Sequence, residues 1–319
     1  MELPRAGGLC ILRAGIPIAS IPMRVFATAY GLLSILYLSV LSSTDEAGCE
    51  VAVRDRIWIW GNPEMAEMGP HTAASFAQAS PAERARILGA SNVILAGAGL
   101  PRDERKAESI ARSVADFPRI VWEIAADSPE GGPPFEYRET IRRLAPHAKD
   151  YPAIEAVLLD DMSSIGIDKG FKPEHIGKIR KLLDEHCPRI KTWGVVYTMN
   201  FDRPDIEDYM RELDVISLWT WHAKDVVNLE QNVARVRESF PGKPIVVGLY
   251  LYDYGEGRRM PMDLLELQCE TALSLLSDGQ VQGLVFLTIV NDVETVEWSA
   301  RWIERVGDRK ISVGTRFEE

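Results

Sequence analysis

Eight short apolar runs recur along the chain, at 57–60, 92–96, 119–124, 154–160, 190–197, 215–219, 244–250 and 282–288. Most are apolar at nearly every position rather than at alternate ones, which is the pattern of strands covered on both faces. Between them lie longer, charged segments in which apolar residues return every three or four positions. In 102–117 these are Ala107, Ile110, Ala111 and Val114; in 173–187 they are Ile176, Ile179, Leu182 and Leu183. That spacing predicts amphipathic helices with one buried stripe, and Pro173 suits the first turn of the second. Segments 229–240, 263–277 and 293–306 obey the same rule, and 205–213 gives a shorter helix. Successive strands start 25 to 38 residues apart, about one strand–helix unit each. Alternating units with apolar strands predict a parallel sheet, and eight of them predict its closure into a single-domain (β/α)8 TIM barrel over 51–319. The polar tail after Gly307 is expected to be a short surface extension.

Ahead of this body the pattern changes. Residues 25–42 carry no charge and are rich in Leu and Ile, with Met23 and Arg24 immediately before them and the small residues Ser42, Ser43, Ala47 and Gly48 after. A positive residue, an apolar stretch and then small residues form the layout of a secretory signal. Residues 1–50 are therefore expected to hold a signal peptide with its start at Met23, or an uncleaved membrane anchor, and the body to be exported to the periplasm or beyond. Cys49 follows Ala47-Gly48 as in a lipoprotein cleavage box, but Glu46 disfavours lipidation.

Composition narrows the partners. The 319 residues are 46% hydrophobic, enough for one large core, and the net charge is −11 with a pI near 5.1. With no Lys/Arg block, neither nucleic acid nor an anionic membrane surface is an expected partner beyond the N-terminal segment. The cysteines Cys10, Cys49, Cys187 and Cys269 have no CxxC spacing, so neither a zinc cluster nor a disulfide framework is indicated.

In such a barrel, ligands meet the loops that follow the strands. The fourth strand ends in Asp160-Asp161, and the third carries Glu123. Adjacent strands lie ~4.8 Å apart, so these acids can converge on one bond, and close acids drive their titrations apart. Glycoside hydrolysis uses such a pair, one donating a proton and the other serving as nucleophile or base. Strand alternation predicts that only one of Asp160 and Asp161 faces the axis. Glu64, Asp253 and Asp292 are further acids at strand ends, with helix capping or loop solvation the expected role of the last two.

Aromatic residues concentrate at the same ends. Trp60, Trp219, Trp221, Tyr250 and Tyr252 could stack on sugar rings, with Asn62, Tyr197 and His222 as polar binding residues, while Trp58, Trp122 and Trp193 are expected to fill the core. The five histidines are scattered, Gly97-Ala98-Gly99 is not placed as a phosphate cradle, and no inward lysine suggests a Schiff base. No cofactor and no metal are expected, although Glu123, Asp160 and Asp161 could serve a divalent-cation lyase or isomerase as oxygen ligands.

Over about residues 56–307 the chain resembles exported TIM-barrel glycoside hydrolases. The likeness rests on Leu159-Asp160-Asp161-Met162, Leu218-Trp219-Thr220-Trp221 and Gly248-Leu249-Tyr250-Leu251-Tyr252. It departs from chitinase-like barrels, whose fourth strand carries DxxDxDxE, and from retaining barrels with Asn-Glu at that strand end. The resemblance implies a glycosidase, and the strand-end acids imply that Asp160 or Asp161 serves as one catalytic acid and Glu123 as the other. A non-catalytic carbohydrate-binding barrel is the alternative.

Overall fold

The computed structural model describes residues 49–63, 76, 78–97, 99–125, 137–167 and 170–313. Glu64 and the expected leader at 25–42 lie outside the described residues. A short strand β1 (Cys49–Ala52) leads into the barrel strand β2 (Ile57–Gly61), followed by α1 (Pro81–Leu88), β3 (Asn92–Leu95) and α2 (Glu104–Ser113). Next come β4 (Ile120–Ala125), α3 (Tyr137–Asp150), β5 (Ile154–Leu159), α4 (Pro173–His186), β6 (Lys191–Tyr197) and α5 (Ile206–Glu212). The second half runs through β7 (Val215–Trp219), α6 (Leu229–Ser239), β8 (Ile245–Tyr250), the small hairpin β9 (Tyr252–Asp253) and β10 (Arg258–Arg259), and α7 (Met262–Ser277). It closes with β11 (Gly283–Leu287), α8 (Val293–Val306) and β12 (Lys310–Val313).

Strands β2 to β8 and β11 form a closed barrel in which β11 pairs with both β8 and β2, and every pairing is parallel. The chain is thus a (β/α)8 TIM barrel. Local chemistry fixes the helix ends: α1 has Pro81 in its first turn and a reciprocal Ser80–Glu83 capping box, and it stops at Gly89 with φ 76°. Asp292 caps α8 by accepting the Thr295 N–H at 3.1 Å.

Outward strand residues pack with the helices in one large core. Inward ones, including Trp58, Trp60, Trp193 and Trp219, fill the barrel itself. Trp58 and Trp193 meet edge to face at 5.5 Å, whereas Trp122 packs on the helix side. Gly248 on β8 makes this filling possible, because a Cβ there would come 2.0 Å from the Trp219 ring.

Past Gly307, the described residues up to Val313 form more than a surface extension. Lys310–Val313 pairs antiparallel with β1, with Cys49 opposite Val313 and Ala52 opposite Lys310. Its polar–apolar alternation buries Ile311 (7% exposed) on one side, as a half-covered strand requires. The two-residue strip Cys49-Glu50, assigned to the leader by pattern, belongs to this sheet.

Candidate active site

The inward positions of β4 are Val121 and then Glu123; those of β5 are Ala156 and Leu158, with Asp160 next in the alternation. In the β4–β5 register Glu123 stands opposite Leu158. Asp160 therefore sits one pleat nearer the mouth than Glu123. A barrel wall rich in apolar residues thus presents two acids at successive depths.

Alternation would send Asp161 to the other side, and here the chain departs from the expected pattern. Asp161 takes the left-handed conformation (φ 48°, ψ 16°), the only non-glycine to do so among the described residues. This turn keeps its carboxylate on the mouth side, where Oδ1 accepts the Tyr197 O–H at 2.6 Å. The Asp161 N–H donates to Asp160 Oδ1 at 2.8 Å, and the Asp161 carbonyl accepts the N–H groups of Ser164 and Gly166 at 3.1 and 3.0 Å. A left-handed aspartate costs about 1–3 kcal/mol, so these bonds hold a strained backbone in place. Both aspartates, not one, belong to the mouth.

Glu123 is fully buried. Its Oε2 accepts the N–H groups of Gly97 and Gly99, the latter at 3.4 Å, while Oε1 has no hydrogen-bond partner. Both glycines have positive φ (103° and 64°), a geometry that aims successive backbone donors at one anion. Burial raises the Glu123 carboxyl to about 7; the two amides oppose the rise and the neighbouring Asp161 adds to it. The Asp160 carboxyl is pushed well above its ordinary range, first by burial and then by Glu123 and Asp161. As a residue Asp160 keeps some solvent exposure, while its carboxyl is desolvated. Tyr197 and Tyr250 are buried, which pushes both phenols well up, and they hydrogen-bond each other.

The aromatic residues sort by depth. Trp60 and Trp219 are 3% and 2% exposed and pack edge to face at 5.4 Å. They form the floor of the mouth, and their expected use as sugar-stacking faces is corrected by their burial. Tyr250 packs on Trp219 at 4.9 Å as the next layer. Trp221, Tyr252 and Tyr254 are half-buried above it. Trp221 contacts Tyr197 and Tyr254, each at 5.4 Å between ring centroids, and Tyr254 lies 5.0 Å from Tyr250. Tyr254 was not among the expected binding residues, although the spacing Tyr250, Tyr252, Tyr254 marks one face of an extended segment.

The remaining candidates take supporting places. Asn62 is buried, with its amide packed against Gly97 so closely that a Cβ there would lie 2.9 Å from Nδ2. His222 is half-buried, 3.6 Å from Glu256, with its ring over Gly255 of the hairpin. Asp253 is fully tied: its Oδ1 accepts the Ala223 and Glu256 N–H groups at 3.2 and 3.3 Å, and Oδ2 binds Arg258 at 3.2 Å. Cys187 and Cys269 are free, buried thiols. Among the described residues no group of three or more His, Cys, Asp or Glu side chains is gathered to hold a metal ion, and no helix is long and apolar enough to cross a membrane.

Comparison with known proteins places the fold in context. No family model matches the sequence, and no curated protein does either. Among solved structures, beta-glucuronidase 2 of Bacteroides uniformis, in a calcium-binding mutant form, overlays with a TM-score of 0.52 at 12% identity over 76% of this chain. The spore cortex-lytic enzyme SleL of Bacillus megaterium overlays with a TM-score of 0.51 at 11% identity, over 81% of this chain and 74% of that one. The chain spans 32% of the beta-glucuronidase chain, about a third of its length. At these identities the likeness is one of fold alone, the (β/α)8 barrel.

Proposed function

We propose that this barrel is a carbohydrate-active enzyme that hydrolyses a glycosidic bond at the mouth formed by Glu123, Asp160 and Asp161. The observation that carries the reading is the crowding of Asp160, whose carboxyl is pushed well above its ordinary range, against an Asp161 held by Tyr197, beside the half-buried rings of Trp221 and Tyr254. Asp160 is the proton donor. Its carboxyl keeps a proton above the ordinary carboxylate range and stands where a glycosidic oxygen can reach it. As the C1–O bond breaks, that proton passes to the departing oxygen. Asp161 supplies the second carboxylate, facing the positive charge that develops at the anomeric carbon, by direct attack or by activating water.

Glu123 takes a different part from the one expected of it. A fully buried carboxyl anchored by two backbone amides does not touch a sugar; it lies beneath Asp160 and keeps that proton in place. It is a positioning residue. Trp221 and Tyr254 provide the stacking faces, and Tyr252 and His222 stand at the rim. Export of the body is part of the proposal and rests on residues 23–49; it is tested by fractionating cells that express the full chain.

The enzymatic reading is tested by reducing-end release from a panel of oligosaccharides. Asp160→Asn and Asp161→Asn should each abolish most hydrolysis while leaving sugar binding measurable. A purely carbohydrate-binding barrel would show no hydrolysis by the unaltered chain and only altered affinity in the variants.

A further inference from the structure

Across the mouth from the acids, the barrel wall changes character. Round the closed barrel β11 is the fourth strand from β5 in either direction, so it faces Asp160 and Asp161 over the opening. Its inward residues are Val285, Leu287 and, one pleat past the strand, Ile289. Leu287 is in register with Trp60 on β2 and with Tyr250 on β8. Those two rings are 3% and 5% exposed, yet Leu287 between them is half-buried, and so is Ile289 above it. A short aliphatic side chain flanked by two large buried rings leaves a hollow that solvent enters.

The main-chain polar groups beside this hollow are engaged within the fold. Thr288, between the two aliphatic residues, donates its N–H and its hydroxyl to the Trp60 carbonyl at 3.1 and 2.7 Å. Its own carbonyl accepts from Arg84 at 2.7 Å and from Asn291 at 3.0 Å. On β8 the Gln268 side chain, from α7, holds the Tyr250 N–H and carbonyl at 3.3 and 2.7 Å. What the hollow presents is therefore carbon: Leu287, Ile289 and the Tyr254 ring packed on Tyr250. A sugar carries hydroxyls around its whole edge, and each one buried here without a partner weakens binding. An alkyl or aryl group loses no hydrogen bond there and gains by leaving water. The interior of an eight-stranded barrel is about one small ligand wide, so a molecule held by the acids on one side reaches the hollow on the other.

We propose that the substrate is a glycoside of an apolar aglycone, alkyl or aryl, whose carbon skeleton lies on Leu287 and Ile289 while its sugar lies between the acids and Trp221. This rests on the reading of the mouth as a glycosidase site and names its substrate class. An oligosaccharide would set hydroxyl-bearing units on both sides of the opening, and only the acid side has groups to receive them.

The test uses the intact chain with methyl, butyl and hexyl glycosides of glucose, galactose, mannose and xylose, and with the benzyl glycosides and disaccharides of the same sugars. Simple alkoxide leaving groups differ little in basicity, so the alkyl series varies buried carbon rather than the ease of bond cleavage. Calorimetric affinity and kcat/KM are followed together. The expected result, for a sugar that the mouth accepts, is a rise of at least about tenfold from methyl to hexyl, with the disaccharide below the hexyl glycoside. Ile289→Ser, at a half-buried position, should cut that ratio severalfold. A larger gain for benzyl than for hexyl supports the proposal with an aryl aglycone, and the reverse supports it with an alkyl one. A flat series among glycosides that bind, a disaccharide preferred to the hexyl glycoside, or a ratio untouched by Ile289→Ser overturns the proposal and leaves the glycosidase reading standing. A rise in affinity with chain length, without cleavage of any member, supports the apolar subsite and removes the hydrolase. Neither binding nor cleavage across the whole panel overturns both.

Discussion

The two ends of the barrel treat charge in opposite ways. Where the strands begin, several half-buried charges are paired with an acid or held by backbone groups. Arg119 pairs with Glu155 at 2.7 Å and lies 4.9 Å over the Trp58 ring. Asp214 accepts the Thr192 N–H and O–H at 2.7 and 2.9 Å and is bridged by Arg180. Lys243 donates to the carbonyls of Met210, Arg211 and Leu213. Where the strands end, Glu123, Asp160 and Asp161 crowd one another, and among the described residues none of them is in an ion pair. Paired charges at one end hold the strands and loops in place; the crowded acids at the other make one another harder to ionise. In barrels of this kind the strand-end face carries function and the opposite face carries stability.

Substitutions break that contrast in graded ways. The largest effect is expected from Asp160→Asn, which should lower kcat by about 10²–10⁴ through loss of the proton donor without lowering the thermal transition. Glu155→Ala, at the opposite end, should do the reverse: it removes the Arg119 partner and costs about 1–3 kcal/mol in urea unfolding, with kcat unchanged. Trp221→Ala should raise KM about tenfold with little change in kcat, since the ring offers a stacking face and no proton. A loss of activity in the Glu155 variant equal to that of the Asp160 variant would erase the distinction between the ends.

Much of this architecture was legible in the sequence. All eight barrel strands lie within a residue or two of their apolar runs, because strands covered on both faces need apolar residues at nearly every position. Two helices were not anticipated: α1 is short, and α3 carries Pro146 inside it. The β1–β12 pair escaped because four alternating residues are too few to stand out. At the site, the acids were visible but their arrangement was not. A single left-handed residue at Asp161 reverses the direction that strand alternation predicts, and no hydrophobic pattern records the sign of one φ angle. The glycines 97 and 99 were visible too, but their partner lies on the neighbouring strand. Trp60 and Trp219 stand at strand ends in sequence, yet one layer of depth separates them from Trp221 and decides between packing and contact.

The claim beneath all of this is that the mouth holds carboxylates whose charge the fold does not compensate. Its most direct test is the pH dependence of unfolding free energy in the unaltered chain against Glu123→Gln. The folded chain holds the Glu123 proton up to about 7, against an ordinary 4.5, so the unfolded chain releases it first. That linkage favours the folded state fully below 4.5 and is lost as pH rises through 7. The unaltered chain should therefore lose stability relative to Glu123→Gln across that interval, with the variant the more stable at pH above 7. Parallel curves, or a relative gain by the unaltered chain as pH rises, would mean that Glu123 ionises at ease in the folded barrel, and the account of the mouth would fail.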